Sequence, residues 1–93
     1  MSSEITVTNN TSAHRYEIEL EGHIALLEYI VRGNVIAFNH TETPEELRGR
    51  GLAAILTKHA LDAARAAGQK VIPQCSYVDS YINKHPEYAD LVA

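Results

Sequence analysis

The hydrophobic pattern of this chain changes its period near Pro44, and this change limits the fold more than any other feature of the sequence. Before Pro44, apolar and polar residues alternate, which is typical of β-strands. From Leu52 onward, apolar residues recur at three- and four-residue spacing, which is typical of an amphipathic α-helix. We therefore expect a chain that begins as strands and continues as a helix.

Four strands are predicted before Pro44, at residues 5–8, 15–20, 23–31 and 35–41,. In the second strand, the even-numbered residues share one apolar face. The third strand is apolar on both faces, as expected for a central strand that is covered on both sides. Turn-forming residues separate the strands at Asn9-Asn10, Gly22 and Gly33. This part of the chain is predicted to be an antiparallel β-meander.

The long helix is predicted to carry one apolar stripe and to end at Gly68, whose lack of a Cβ suits a left-handed cap. The stripe consists of Leu52, Ile55, Leu56, His59, Ala60, Ala63 and Ala67. Residues 69–73 then form a short strand, and a strand–helix–strand unit implies a parallel pair with a right-handed crossover. Residues 76–84 are predicted to form a shorter second helix, which stops before His85-Pro86.

Together these elements predict one domain over residues 1–93 with an α/β (α+β) fold. Its mixed sheet combines an antiparallel meander with a parallel final strand, and one long and one short helix pack on it. A chain of 93 residues forms one domain at most,. With 45% apolar and 22% charged residues, its composition is that of an ordinary soluble globular domain,.

The charge and the apolar runs argue against several classes of partner. The formal net charge is -4, so neither a nucleic acid nor an anionic membrane surface is expected as a partner,. The most apolar stretch, residues 24–31, is too short to span a bilayer. The first residues lack the features of a secretory signal and the single cysteine cannot form an internal disulfide, so we expect a cytoplasmic protein. A monomer or a weak homodimer is expected.

A glycine-rich turn precedes the long helix. Gly49 and Gly51 stand where a chain can direct several free backbone N–H groups at one anion, and Arg48 and Arg50 add positive charge,. The turn lacks the Gly-Lys-Ser/Thr ending of a Walker loop, and it follows a meander instead of the first strand of a parallel dinucleotide-binding unit. The pattern predicts an anion site, and the alternative is a loop that the glycines only shape.

The run Arg48-Gly49-Arg50-Gly51-Leu52-Ala53 matches the R/Q-x-x-G-x-G/A signature of acetyl-coenzyme A dependent N-acetyltransferases. The chain thereby resembles the GNAT superfamily and, over about residues 15–92, its small single-domain subfamily. This resemblance implies a minimal GNAT-like fold with the pyrophosphate of acetyl-coenzyme A on the turn amides. It also implies that the pantetheine arm runs along residues 38–41. The short connection at residues 9–13 leaves no space for the helices that shape the acceptor site in ordinary GNAT enzymes.

Two residues are candidates for catalysis. Cys75 follows the strand after the long helix, at a position where the resemblance places a cysteine. It could accept an acyl group if its pKa were lowered, or it could be a small buried residue at a strand end. Tyr81 resembles the tyrosine that protonates the departing thiolate in GNAT enzymes, or it could simply pack its ring with the hydroxyl in solvent. Tyr77 is a weaker substitute for Tyr81.

Further candidates lie on the strand before the turn and at the end of the second helix. His40 and Thr41 would flank the cofactor, and His40 or Glu42 could accept the proton of the amine. Asn83 and Lys84 could touch the cofactor. The spacing of the remaining histidines suggests no metal site, and His59 is predicted to pack within the helix stripe.

Three functions remain open at this point. The first is an enzyme that transfers an acetyl group from acetyl-coenzyme A to a primary amine of a protein or small molecule. The second is a coenzyme A binding module with little or no turnover. The third is an interaction domain whose glycine turn is only structural.

Overall fold

The computed structural model describes residues 5–93. Within these residues the chain forms five strands and two α-helices. The strands are Thr8–Asn10 (β1), Arg15–Leu20 (β2), His23–Arg32 (β3), Val35–Glu42 (β4) and Lys70–Pro73 (β5). The helices are Leu52–Ala66 (α1) and Ser76–Lys84 (α2). Short 3₁₀ segments lie at Thr11–Ala13, Glu45–Leu47 and Pro86–Leu91. Neither α-helix of this described part is long and apolar enough to cross a membrane.

The strands form one mixed sheet in their sequence order. β1 to β4 are antiparallel neighbours, and β5 returns through α1 to pair in parallel with β4. The predicted fold, with its meander, its parallel final strand and its long and short helices, is therefore confirmed. The parallel pair is the part that matters for the site, because α1 begins directly beyond the end of β4.

The first strand differs from its prediction. β1 contains the two asparagines that the sequence favoured as a turn, while residues 5–7 are not in a strand. Asn9 pairs with Tyr16, and its side chain accepts a hydrogen bond of 2.6 Å from the Tyr29 hydroxyl. The side chain of Asn10 accepts a hydrogen bond from the N–H of Ala13 and caps the 3₁₀ turn that follows. Asn10 therefore stabilises the start of the turn from inside the strand, while Asn9 connects β1 to β3,.

The core lies between one face of the sheet and the two helices. The largest buried side chains come from all layers and include Ile18, Leu27, Phe38, Leu56, Leu61, Val71 and Val78. The helix stripe was predicted correctly at Leu52, Leu56 and Ala60 but wrongly at Ala67, which is exposed. His59 is also exposed, yet its ring packs edge-on against Tyr16 with centroids 5.5 Å apart, so its predicted packing role is confirmed in part. Thr57, Leu61 and Ala64 are buried in place of His59 and Ala67. Alanine occurs all around α1, so apolar spacing alone does not decide which side faces the sheet.

β3 is not covered on both faces along its whole length. Tyr29 is buried in the core, whereas Ile30, on the other face, is 46% exposed. Both helices contribute to one core cluster with Tyr29 and Ile18, which leaves the opposite face of the sheet open at Ile30. The prediction of a doubly covered strand is therefore wrong for this end of β3.

The end of α1 is confirmed at Gly68, whose φ is +70°. The N–H of Gln69 donates to the carbonyl of Ala64 at 2.9 Å, and the N–H of Gly68 donates to that of Arg65 at 3.1 Å. These two bonds are the Schellman arrangement, in which a left-handed residue turns the chain away from the helix axis. The turn directs the chain into β5 beside β4.

Candidate functional site

The strands β4 and β5 separate at the end of their parallel pairing. Their last pair joins Phe38 to Pro73, after which β4 remains paired only with β3. At the same place Asn39 is an extra residue opposite β3, because Phe38 pairs with Tyr29 and His40 pairs with Glu28. Such a bulge shifts the alternation of side chains by one residue. Residues 39–42 of β4 thus have no pairing partner in β5.

Cys75 lies where the pairing of β4 with β5 ends, and it is the N-cap residue of α2. Its N–H donates to the carbonyl of Phe38 at 2.9 Å, and its Sγ lies 3.5 Å from the Thr41 Oγ1. The bulge makes this contact possible, since it returns Thr41 to the core-facing side of β4. Thr41 and Cys75, which the sequence proposed separately, are therefore in contact.

The surroundings of Cys75 also change the pKa of its thiol. Partial burial acts to raise the pKa of its thiol, but hydrogen bonds from the Thr41 side chain and from the backbone of Val78 and Tyr77 outweigh burial and lower the pKa overall. A thiolate at a helix N-terminus is stabilised in this way because the free N–H groups point toward it. The lowered pKa favours the thiolate of Cys75, which is the nucleophilic form of a cysteine,.

The glycine turn has left-handed glycines, and the backbone N–H groups that follow have no acceptor. Gly49 and Gly51 have φ values of +81° and +72°, which disfavour any other residue,. Gly51 is the N-cap residue of α1, has no side chain to cap the helix, and accepts the first helical bond from Ile55. Within residues 5–93, the N–H groups of residues 51–54 donate to no protein acceptor. A Cβ placed on either glycine would meet no atom within 4 Å, so the space in front of the turn is open.

A small cavity of about 150 Å³ lies against this turn. It is lined by Thr43, Leu47, Arg48, Gly49, Gly51, Leu52, Ala53, Ala54 and Tyr77. Pockets for whole ligands are typically about 300–1,000 Å³, so this one has room for a phosphate-sized part of a larger molecule. The structure thus brings together five of the predicted cofactor residues and adds Tyr77 from α2.

Arg48 and Arg50 have different surroundings although they are two residues apart. Arg48 lines the cavity, and its Nε donates to the carbonyl of Thr43 at 3.3 Å. Arg50 does not line the cavity and is instead paired with Glu21. Of the two predicted cationic contacts, Arg48 is the one placed to meet an anion on the turn.

Several other predicted residues lie away from the cavity. Tyr81 stacks on His85 with ring centroids 4.0 Å apart, and burial raises the pKa of its hydroxyl. Asn83 and Lys84 are exposed at the end of α2. The sequence ranked Tyr77 below Tyr81, yet Tyr77 lies one helical turn closer to the glycine turn. Both tyrosines fall on the same side of α2, so spacing alone did not separate them.

His40 lies on the face of β4 that points away from the helices. It pairs with Glu28 across the sheet, and its Nε2 is 3.3 Å from the Oε1 of Glu42. Both side chains are more than half exposed. The two groups proposed to accept a proton are therefore in contact with each other, on the opposite side of β4 from Cys75.

We expect the Cys75 thiol to react with iodoacetamide at lower pH in the folded protein than in the urea-unfolded chain. The alkylating reagent reacts with the thiolate, so the midpoint of the rate against pH reports the pKa. Thr41→Val should move the folded midpoint upward because it removes one hydrogen bond to sulfur. Equal midpoints for the folded and unfolded chains would contradict the lowered pKa.

Comparison of this chain with known proteins identifies its family and several relatives. The family described as GCN5-related N-acetyl-transferase matches residues 15–91. Protein NATD1 of Xenopus tropicalis is 30% identical over 91% of this chain and 81% of its own length, and human NATD1 is 30% identical over 88% and 75%. A GCN5-like protein of Staphylococcus aureus, solved by NMR, superposes with a TM-score of 0.70 at 28% identity, covering 97% of this chain and 87% of its own. The matched region contains Thr41, Cys75 and the glycine turn.

Proposed function

Because this chain belongs to the GCN5-related N-acetyltransferase family, we propose that it binds acetyl-coenzyme A and transfers the acetyl group to a primary amine of a protein or small molecule. The observation that carries the proposal is the row of free amides at residues 51–54, which faces an open cavity beside Arg48. This row occupies the place of the family signature. Family members generally use acetyl-coenzyme A, and the donor set here is suited to a pyrophosphate.

The cofactor would be held by backbone more than by side chains. Gly49, Gly51, Leu52 and Ala53 would donate N–H groups to the pyrophosphate, while Arg48 would supply charge. The edge of β4 that β5 leaves unpaired, with Thr41 on it, would border the pantetheine arm. This edge offers backbone groups of the kind that an extended arm with amide groups can bind. His40 is on the same strand, and Asn83 and Lys84 would reach only parts of the cofactor that extend beyond the cavity.

Bound acetyl-coenzyme A would supply the acetyl group as a thioester. In the proposed reaction, Cys75 would act as the nucleophile: its thiolate would accept the acetyl group, and the coenzyme A sulfur would leave. Tyr81, or Tyr77 as its weaker substitute, would donate a proton to the departing sulfur. The acceptor amine would then displace Cys75 from the acyl group. Because His40 and Glu42 face the other side of β4, either would take the amine proton only through water,.

A second candidate function is a coenzyme A binding module with little or no turnover. One observation favours it, namely the short connection between β1 and β2, which consists of a single 3₁₀ turn at Thr11–Ala13. The family's larger enzymes use helices in this region to shape the acceptor site, as the resemblance implies. A binding module would keep the glycine turn and need no such helices.

Titration of ¹⁵N-labelled protein with coenzyme A is expected to shift the amide signals of residues 49–54 and 38–41 saturably. The control is inorganic pyrophosphate, which should shift only the first group because it lacks the pantetheine arm. Absence of any shift at millimolar coenzyme A would contradict both candidate functions. Acetyl-labelled cofactor and an amine library then separate the two, since label transfer supports the enzyme and saturable binding without transfer supports the module.

A further inference from the structure

The Arg50 side chain is held by the hairpin between β2 and β3. Its Nη1 donates to the Glu21 Oε2 at 2.8 Å, and its Nη2 donates to the Oε1 at 3.1 Å. The Nη2 also lies 3.5 Å from the carbonyl of Glu46. Two parallel bonds of this kind fix the orientation of a guanidinium group as well as its position. Arg50 is therefore directed to the hairpin and not into the cavity that Arg48 lines.

The hairpin presents Glu21 from an uncommon backbone conformation. Glu21 has a φ of +55° and is followed by Gly22 at +78°. Few residues other than glycine adopt this region, so the conformation is maintained by the surrounding structure. A second contact joins the same two segments, because the His23 Nδ1 lies 3.7 Å from the Glu46 Oε1. The hairpin and the segment before α1 are thus connected at two points.

Arg50 is the residue between the two glycines of the turn. Glycine has more backbone freedom than any other residue, so a loop of this composition loses much conformational entropy when it is ordered around a ligand. A side chain anchored between Gly49 and Gly51 restricts both neighbours before a ligand arrives. A turn that is already ordered in the free protein loses less conformational entropy when the ligand binds, and this increases the affinity.

We infer that Arg50 is a positioning residue, which pairs with Glu21 to fix the glycine turn in its anion-binding conformation without itself contacting the phosphates. The inference rests on the proposed function, because it assigns Arg50 a role in the same cofactor site. It differs from the expectation that both arginines bind the pyrophosphate. It also gives the distant hairpin a part in cofactor binding.

The substitution Glu21→Gln distinguishes the two roles of Arg50 by the sign of its effect. If Arg50 positions the turn, loss of the carboxylate loosens the turn and weakens coenzyme A binding. If Arg50 were a phosphate ligand that Glu21 restrains, the same change would release it and strengthen binding. Since the ion pair is exposed, the expected weakening is roughly two- to fivefold.

The full experiment measures coenzyme A affinity for Glu21→Gln, Arg50→Gln, the double variant and the exchanged pair Glu21→Arg with Arg50→Glu. Each single change should weaken binding by a similar factor, the double variant should be no worse than either, and the exchanged pair should recover most of the loss. A direct phosphate contact by Arg50 predicts the reverse for the exchanged pair, which would then bind most weakly. That result would overturn the inference.

A second measurement needs no ligand. In the free protein, the ¹⁵N order parameters of Gly49 and Gly51 should fall in Glu21→Gln and return in the exchanged pair, because the anchor acts before binding. Unchanged order parameters would overturn the positioning role even if coenzyme A did not bind. Failure of the unaltered protein to bind coenzyme A, with order parameters behaving as expected, would count against the proposed function alone.

Discussion

Replacing Gly51 with aspartate is expected to weaken coenzyme A binding by roughly tenfold or more, because a carboxylate a few ångströms from a phosphate repels it strongly at a partly desolvated site. The φ of +72° at this position is one that aspartate and asparagine tolerate better than other residues with a side chain,. Aspartate is also favourable at the start of a helix. The fold should therefore survive while the anion site is lost.

Gly51→Asn is the matched control for this prediction. Asparagine has nearly the same size and backbone tolerance as aspartate but carries no charge, so it should reduce affinity much less. Both variants should unfold at similar denaturant concentrations. Equal losses of affinity in the two variants would show that the size of the side chain, and not its charge, is responsible. Normal coenzyme A binding by Gly51→Asp would contradict the proposed anion site itself.

Cys75→Ala is expected to reduce acetyl transfer by roughly a hundredfold or more, since the proposed reaction passes through the thiolate. Cys75→Ser should be almost as inactive, because a serine hydroxyl at this position retains a polar contact but is not ionised. Cofactor affinity should change little in either variant. The measurement is initial rate with labelled acetyl-coenzyme A, alongside a binding titration of the same preparations.

Two further variants complete the test of the catalytic assignment. Tyr81→Phe and Tyr77→Phe each remove one candidate proton donor while keeping the ring. A large loss in only one of them would identify the donor. Normal turnover in Cys75→Ala would remove the cysteine from the mechanism and leave direct attack by the amine.

The features that sequence predicted well are those set by neighbouring residues. The period of the strands and helices, the Schellman cap at Gly68 and the glycine turn before α1 all depend on short stretches of chain. The features it predicted poorly depend on contacts between distant segments. The partner of Arg50 is Glu21, which lies in the hairpin between β2 and β3. The side of α1 that is buried depends on how the helix packs against the sheet.

The same distinction holds within the candidate site. Arg48 and the turn amides were predicted from one continuous motif, and the structure gathers them around one cavity. The contact between Thr41 and Cys75 needed the bulge at Asn39, which has no local signature in the sequence. Tyr77 and Tyr81 lie on the same side of α2, so which of them reaches the cavity depends on where the helix lies along its axis relative to the glycine turn, and its own pattern does not determine that.

The parallel pairing of β4 with β5 has a consequence for the order in which this protein folds. The meander can form from contacts between neighbours in the chain, whereas β5 reaches β4 only after the glycine turn and α1 have closed a long loop,. The environment of Cys75, which depends on the Phe38 carbonyl and on Thr41, therefore cannot exist in an early intermediate that contains the meander alone. The time at which the thiol becomes unusually acidic during refolding would mark the closure of that loop.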